Sequence, residues 1–347
     1  MVKLKKARSF HYKAGLTSLS LGFANTMKNL FFSLFCLNCT LFGWQANSAS
    51  VVGGGYEAPT PIKVSPGQII TFFVHGIAMQ LTDPVAANST PLPTSLAGIS
   101  ATFLQNFPSV PVPILRLEPL ATCFDTTRPG CAQRFVAVTV QIPFDISAEN
   151  PQVRLGGMIP SASIRFTDNG VVAATVDVTP IVDSVHILRS CDLLFARRTF
   201  ACNPAVTHAD GTLVSRDKPA KTGEEITLFA TGLGYTMPLV ANGQAGDANA
   251  STSAKFRLSF DARPNASVSR PSSRGETGPG TADPTFTALI AGYVGLYQLN
   301  VIVPPLPDNI QLCDPNPFTV RVNSNLTINV FGPASVDGVG ICVDPRP

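Results

Sequence analysis

Cysteine, histidine, carboxylate and tyrosine are the side chains here whose spacing could do chemistry. The chain has 8 Cys. Cys36 and Cys39 lie inside an apolar N-terminal run, so their C-x-x-C spacing implies neither redox nor metal work. The remaining Cys123, Cys131, Cys191, Cys202, Cys313 and Cys342 fall along the chain as three close couples. An even number behind an export-type leader points to disulfides. Spacing alone leaves the connectivity open, and pairing within each couple is the expectation. No couple has zinc spacing and no His pair accompanies them, so no metal is expected.

Beyond the leader stand His75, His186 and His208. A hydrolytic triad needs one of them beside a nucleophile and an acid, and no G-x-S-x-G elbow is present. His75 falls at a strand end and is expected to be structural. His186 lies among apolar residues and is expected to be packed. His208 precedes an Asp210-Gly211 turn and is expected to be solvated. Glu224 and Glu225 are adjacent in a strand and point to opposite faces, so they do not converge as an acid/base pair. Asp308, Asp314, Asp337 and Asp344 flank the last cysteine couple, without the Asp-x-Asp-x-Asp loop of a calcium site; a solubilising role is expected. Tyr56, Tyr235, Tyr293 and Tyr297 are the tyrosines beyond the leader. Tyr293 and Tyr297, four apart in a strand-like stretch, would share a face, as core or as a surface patch. Gly53-Gly54-Gly55 is not followed by a helical pattern and so is no phosphate cradle. The chain is therefore expected to be non-enzymatic, with no cofactor and no catalytic residues.

The elements that carry these residues read as short strands. Of 347 residues, 45% are hydrophobic and 14% charged, with 30 Pro and 27 Gly, a composition of strands joined by turns. The net charge of +3 misleads. Residues 1–48 carry Lys3, Lys5, Lys6, Arg8, Lys13 and Lys28 and no acid; without those six, 19 basic residues face 22 acidic ones, a net of −3. No basic patch is left for nucleic acid. The same segment runs from a basic stretch ending at Lys28 through an apolar run (Leu30 to Trp44) to small residues, Ala46-Asn47-Ser48-Ala49-Ser50. That is a secretory signal pattern, too short in its apolar part for a comfortable membrane span. An uncleaved anchor and a true start at Met27 stay open. An extracellular or cell-envelope location follows, with no transmembrane span expected in the mature chain.

The chain also repeats. Gly67-Gln68-Ile69-Ile70-Thr71-Phe72-Phe73-Val74-His75-Gly76 matches Gly223-Glu224-Glu225-Ile226-Thr227-Leu228-Phe229-Ala230-Thr231-Gly232 in five of ten positions at an offset of 156. Val138 to Pro143 parallels Leu299 to Pro304, each a strand ended by Pro. A hairpin is predicted over 163–178 around Asn169-Gly170. A second is predicted from Phe318, Val320 and Val322 through a turn at Ser324-Asn325 into Leu326, Ile328 and Val330. The expected fold is all-β: two tandem Ig-like antiparallel β-sandwiches behind a signal segment. The boundaries are 1–48 (leader), 52–184 (repeat 1), 185–215 (a disulfide-stapled connector) and 216–347 (repeat 2). Residues 264–284, rich in Ser, Gly, Pro and Arg, read as a long loop.

Lys218-Pro219-Ala220-Lys221-Thr222-Gly223-Glu224, Leu228 to Gly234, and Gly295-Leu296-Tyr297-Gln298-Leu299-Asn300-Val301 with Val303-Pro304 carry a family resemblance. Asp210-Gly211-Thr212 upstream fits it too. They resemble the C-terminal domain of many secreted proteins of Solibacter and other Acidobacteria. Pro66-Gly67-Gln68-Ile69 and Val140-Gln141-Ile142-Pro143 fit more loosely, and the resemblance spans roughly residues 50–335. It implies export and Ig-like β architecture and brings no activity. The functional expectation is a secreted or cell-surface binding or adhesion module for an extracellular protein or glycan, with contacts in loops such as 78–96 and 264–284. The alternative is an envelope or assembly component acting through self-association.

Overall fold

The computed structural model describes residues 49–54, 62–105, 109–121, 134–148, 162–190, 192, 203–262, 265, 280–314, 321–330 and 335–346. The expected leader lies outside them, as do Tyr56, most of 264–284 and the couples Cys123/Cys131 and Cys191/Cys202. The described residues contain strands, bridges and turns and no helix.

The first half comprises β1 (Ser50–Gly54), β2 (Ile62–Val64), β3 (Ile69–His75), β4 (Val85–Ala86), β5 (Ser95–Leu96), β6 (Ile99–Leu104), β7 (Val110–Val112), β8 (Ile114–Ala121), β9 (Arg134–Gln141), β10 (Ala162–Asp168) and β11 (Val171–Pro180). One sheet has the order β1-β3-β9-β8-β4, the other β2-β11-β10-β6-β5 with β7 also on β6. Burial alternates strictly along β3 and β6, the period-two signature of strands with one face turned to a core. Phe72, Val74, Phe103, Ile114, Val138, Ile164 and Phe166 meet in that core.

The second half comprises β12 (His186–Ile187), β13 (Val206–His208), β14 (Ala220–Lys221), β15 (Glu225–Thr231), β16 (Thr236–Met237), β17 (Ser251–Thr252), β18 (Phe256–Asp261), β19 (Thr281–Ala282), β20 (Phe286–Leu289), β21 (Tyr297–Ile302), β22 (Ser324–Val330), β23 (Val336–Ile341) and β24 (Val343–Asp344). Its first sheet runs β12-β15-β21-β20-β17-β16 with β13 also on β15; β19-β18-β22-β23 and β14-β24 form the rest. Leu228, Ala230, Leu258, Leu299, Val301, Leu326 and Ile328 belong to its separate core.

The sequence repeat has a structural counterpart. Ile70 pairs with Val140 and Phe72 with Val138; their matches Ile226 and Leu228 pair with Val301 and Leu299. The two matched stretches of each half are thus neighbouring strands in the same register. In both halves a short strand also runs parallel to the last one, β2 on β11 and β14 on β24.

The two hairpin expectations fare differently. Asn169 and Gly170 both take positive φ, 49° and 81°, and Asp168 pairs with Val171, as a two-residue primed turn requires. The turn expected at Ser324-Asn325 is not there. Both residues open β22, which pairs on one side with β18 and on the other with β23, and both are buried. Central-strand pairing satisfies their backbones, which overrides their turn preference. Val322 lies before the strand, while Phe318 and Val320 fall outside the described residues.

Residues 185–215, expected as a connector, supply β12 and β13, both antiparallel to β15. Ile187 and Val206 are buried in the second core. The halves also interlock. Phe144, just past β9, is buried in the second-half core. A Cβ on Gly67, at φ 72°, would lie 2.2 Å from the Phe144 ring. Gly232, at φ 75°, passes so close that a Cβ would lie 1.9 Å from the Ser184 carbonyl oxygen. Only glycine fits either position.

Candidate functional site: the joint and its exposed loops

The loop after β15 is built onto the first half by its backbone polar groups. Asn242 Oδ1 accepts the Phe144 amide at 2.7 Å, and its Nδ2 donates to Asp145 at 2.8 Å. The Gly243 amide donates to the buried Gln141 side chain at 2.6 Å. The Gly243 carbonyl accepts the Leu92 amide at 2.8 Å. Tyr235 donates its hydroxyl to the Ile146 carbonyl at 2.6 Å, and its burial raises the phenol pKa. The Ser65 hydroxyl and the Ser184 amide both donate to the Gly232 carbonyl. Except for the exposed Asn242–Asp145 bond, each satisfies a group that the joint wholly or partly buries.

This anchoring fixes where the loop's apolar side chains point. Met237 and Leu239 are 68% and 70% exposed, and Tyr293 is 59% exposed. Met237 ends β16, Leu239 follows it, and Tyr293 lies in the turn after β20. β16 pairs with β17, which pairs with β20 at Ser251 and Ala288. Beyond β20, the Gly246 amide donates to the Tyr293 carbonyl at 2.7 Å, and the Gly292 amide to the Gly246 carbonyl at 3.1 Å. Three large apolar side chains therefore stand in solvent on backbones that are not free to collapse over them.

Tyr293 and Tyr297 do not share a face. Tyr297 is fully buried, with its hydroxyl on the Gly234 carbonyl at 2.6 Å, and burial raises its pKa. Tyr293 lies in the turn before β21, so the assumed strand spacing does not hold between them. The loop 78–96 runs from the far end of the first half, where the Ala78 amide meets Asp168 Oδ2 at 2.8 Å, back to Leu92 at the joint. It exposes Met79.

The remaining candidates are structural. Cys313 and Cys342 form a disulfide with a Cα–Cα distance of 5.9 Å. His75 stacks against Phe135 with ring centroids 5.4 Å apart. His208 is not solvated: it is buried on β13, with Nδ1 against Glu224 and Nε2 3.1 Å from the Lys218 carbonyl. The sequence reading placed it by its neighbouring turn and missed the strand before it. His186 is buried as expected, but among charges: Asp192 and Asp337 flank it. Asp344 pairs with Arg346, so the late aspartates are dispersed. Glu224 also accepts the Lys221 amide, while Glu225 accepts from Thr285. Among the described residues no group of three or more His, Cys, Asp or Glu is placed to hold a metal ion, and no helix is long and apolar enough to cross a membrane.

No protein-family model matches the chain, and no curated protein does. Among solved structures it is similar to that of the Yersinia pseudotuberculosis adhesin InvE, at 12% identity and a TM-score of 0.17. The match covers 86% of this chain and 59% of that one, so the chain spans well under two thirds of that protein. A likeness this slight assigns no function.

Proposed function

We propose that the protein is an exported, non-catalytic binding module that engages a protein partner through the loops beside the joint. The observation that supports this is the exposure of Met237, Leu239 and Tyr293 on chain held by strand pairing at Met237 and by hydrogen bonds at Asn242, Gly243 and Tyr293. Met and Tyr are enriched where proteins meet, and a loop held rigid before binding loses little conformational entropy on binding. Two aliphatic groups beside one tyrosine favour a protein over a glycan, which wants flat aromatic platforms with polar neighbours. The family resemblance supports an extracellular setting.

A second reading is self-association through a strand edge. β11 pairs with β10 along Val171–Val178, but among the described residues β2 covers its other edge over Val178–Pro180, and Val171 and Val172 are exposed. Unpaired edges invite strand addition.

The test uses the mature protein with Met237→Ser and Leu239→Ser together. Binding to extracellular protein extracts that is saturable in the wild type and lost in the variant, with unchanged melting, is the expected result. Binding only to a glycan panel would replace the partner class. Unaltered protein binding by the variant would remove these loops from the site. Ordered oligomers that dissolve on Val172→Lys would favour the second reading.

A further inference from the structure

We infer that His186 is the protonated pin of a clasp that fastens the base of the 188–205 excursion to β23 and opens as pH rises. The geometry carries this. His186 Nε2 lies 2.8 Å from Asp192 Oδ2, and Nδ1 lies 3.1 Å from Asp337 Oδ2. A carboxylate oxygen can only accept, so both ring nitrogens must carry hydrogen, which makes the ring an imidazolium. A neutral ring would turn a lone pair onto one of the two carboxylates.

Each carboxylate oxygen is also a backbone anchor. Asp192 Oδ2 accepts the Arg189 amide at 2.6 Å, and Asp337 Oδ2 accepts the Ile187 amide at 2.8 Å. The ring therefore joins two backbone ties on opposite sides. Arg189 Nη2 donates to the Gly338 carbonyl at 2.9 Å and stands 3.8 Å from Asp337 Oδ1. Ser335 Oγ accepts the Val185 amide at 2.9 Å and donates to Asp183 at 2.5 Å. Among the described residues, the charged and titratable groups around His186 are Asp183, Arg189 and Asp192 from its own segment and Asp337 from β23. Across the ladder, β15 presents the uncharged Thr231. Two carboxylates touching the ring are balanced by the imidazolium and one guanidinium; deprotonation removes half of that positive charge from a buried site.

The clasp sits where the excursion leaves the sheet. The Ser190 amide donates to the Asn203 carbonyl, and the Ala205 amide to the Leu188 carbonyl, both at 2.7 Å. These bonds make Arg189 and Pro204 facing residues of a short stem. Burial pulls the imidazole pKa down, yet the hydrogen bonds and charges of Asp192 and Asp337 outweigh it and hold it above 6.5. The clasp is therefore closed below the ordinary imidazole value and opens as pH rises through the raised one.

The experiment is a histidine NMR titration of the full chain from about pH 5 to pH 9, with hydrogen exchange at the Ile187, Arg189 and Ser190 amides, corrected for intrinsic rates. We expect the His186 midpoint to lie above the ordinary imidazole value. Protection at those amides should fall roughly tenfold across the same midpoint, while β21 amides stay level. His186→Gln should give low, pH-independent protection at the stem. A His186 midpoint below the ordinary imidazole value, stem protection indifferent to pH, or full protection in His186→Gln would each overturn the clasp. Should that variant fail to fold, Asp192→Asn serves instead: it must lower the His186 midpoint, and an unmoved midpoint overturns the proposal.

Discussion

The outer strand of the first sheet is built twice in this molecule, in two different ways. In the first half β1 runs unbroken along β3, with one register irregularity between Val51 and Gly53, opposite Val74 and Phe73. In the second half Ile187 pairs with Ala230, the match of Val74, and Val206 with Leu228, the match of Phe72. Between them lie residues 188–205, whose described ends are tied to each other through Leu188, Ser190, Asn203 and Ala205. A bulge in one half and an excursion in the other thus fall at the same rung. A bulge already leaves a residue outside the ladder, so it is a low-cost place to lengthen a chain. The longer version then needs fastening at its root, and the buried charges around His186 have no counterpart on β1, where Ser50 faces His75.

The halves also differ in self-sufficiency, and the largest expected effect tests that. The second core includes Phe144, which the sequence places in the first half. Phe144→Ala removes a ring packed against Gly67 and should cost about 3–5 kcal/mol. Urea unfolding followed by hydrogen exchange would show the loss in β15 and β21 more than in β6 and β10. Equal loss in both halves would mean that they unfold as one unit and that the asymmetry is only geometric.

A smaller effect is expected at the Cys313–Cys342 disulfide, which closes a sequence separation of 29 and ties the last strands of the second half to the chain before β22. Replacing both cysteines by Ala should lower stability by about 2–4 kcal/mol, read as a lower urea midpoint. A wild-type midpoint indifferent to reductant would show that the cross-link adds nothing to the native state.

Much of this was legible beforehand. The repeat, the Asn169-Gly170 hairpin and the last cysteine couple follow from local chemistry: a constant offset, positive φ, proximity in sequence. The second hairpin was misplaced because Ser324 and Asn325 look like turn residues, and only pairing on both edges makes them strand. The 185–215 stretch reads as a connector because the residues between β12 and β13 divide the strand beside β15 into two- and three-residue pieces. The exposure of Met237 and Leu239 was invisible for a similar reason. It depends on the Asn242 and Gly243 bonds to the first half, and no periodicity in the sequence records a contact made across some hundred residues.

The smallest of the three effects concerns Asp183, also on the segment leading into β12. Burial is the main cause that pushes its pKa up to about 6, against a partial offset from Ser335. Its Oδ2 is buried without a hydrogen-bond partner among the described residues. A carboxyl with a raised folded pKa favours the folded state below its unfolded value of 3.8, and that advantage is lost as pH rises through 6. His186 acts in the same sense at higher pH, its advantage present below 6.5 and lost above its own raised value. The segment joining the halves should therefore be held more tightly in acid, opposite to the usual effect of paired carboxylates. Asp183→Asn keeps the Ser335 contact without the buried charge. It should raise stability at pH 8 by about 2–3 kcal/mol, the worth of roughly two pKa units, and leave it nearly unchanged near pH 4. Thermal melts of the two proteins across that range decide the matter. A variant no more stable than the wild type at pH 8 would show that the Asp183 charge is already balanced, leaving His186 alone to make the edge of the second half acid-dependent.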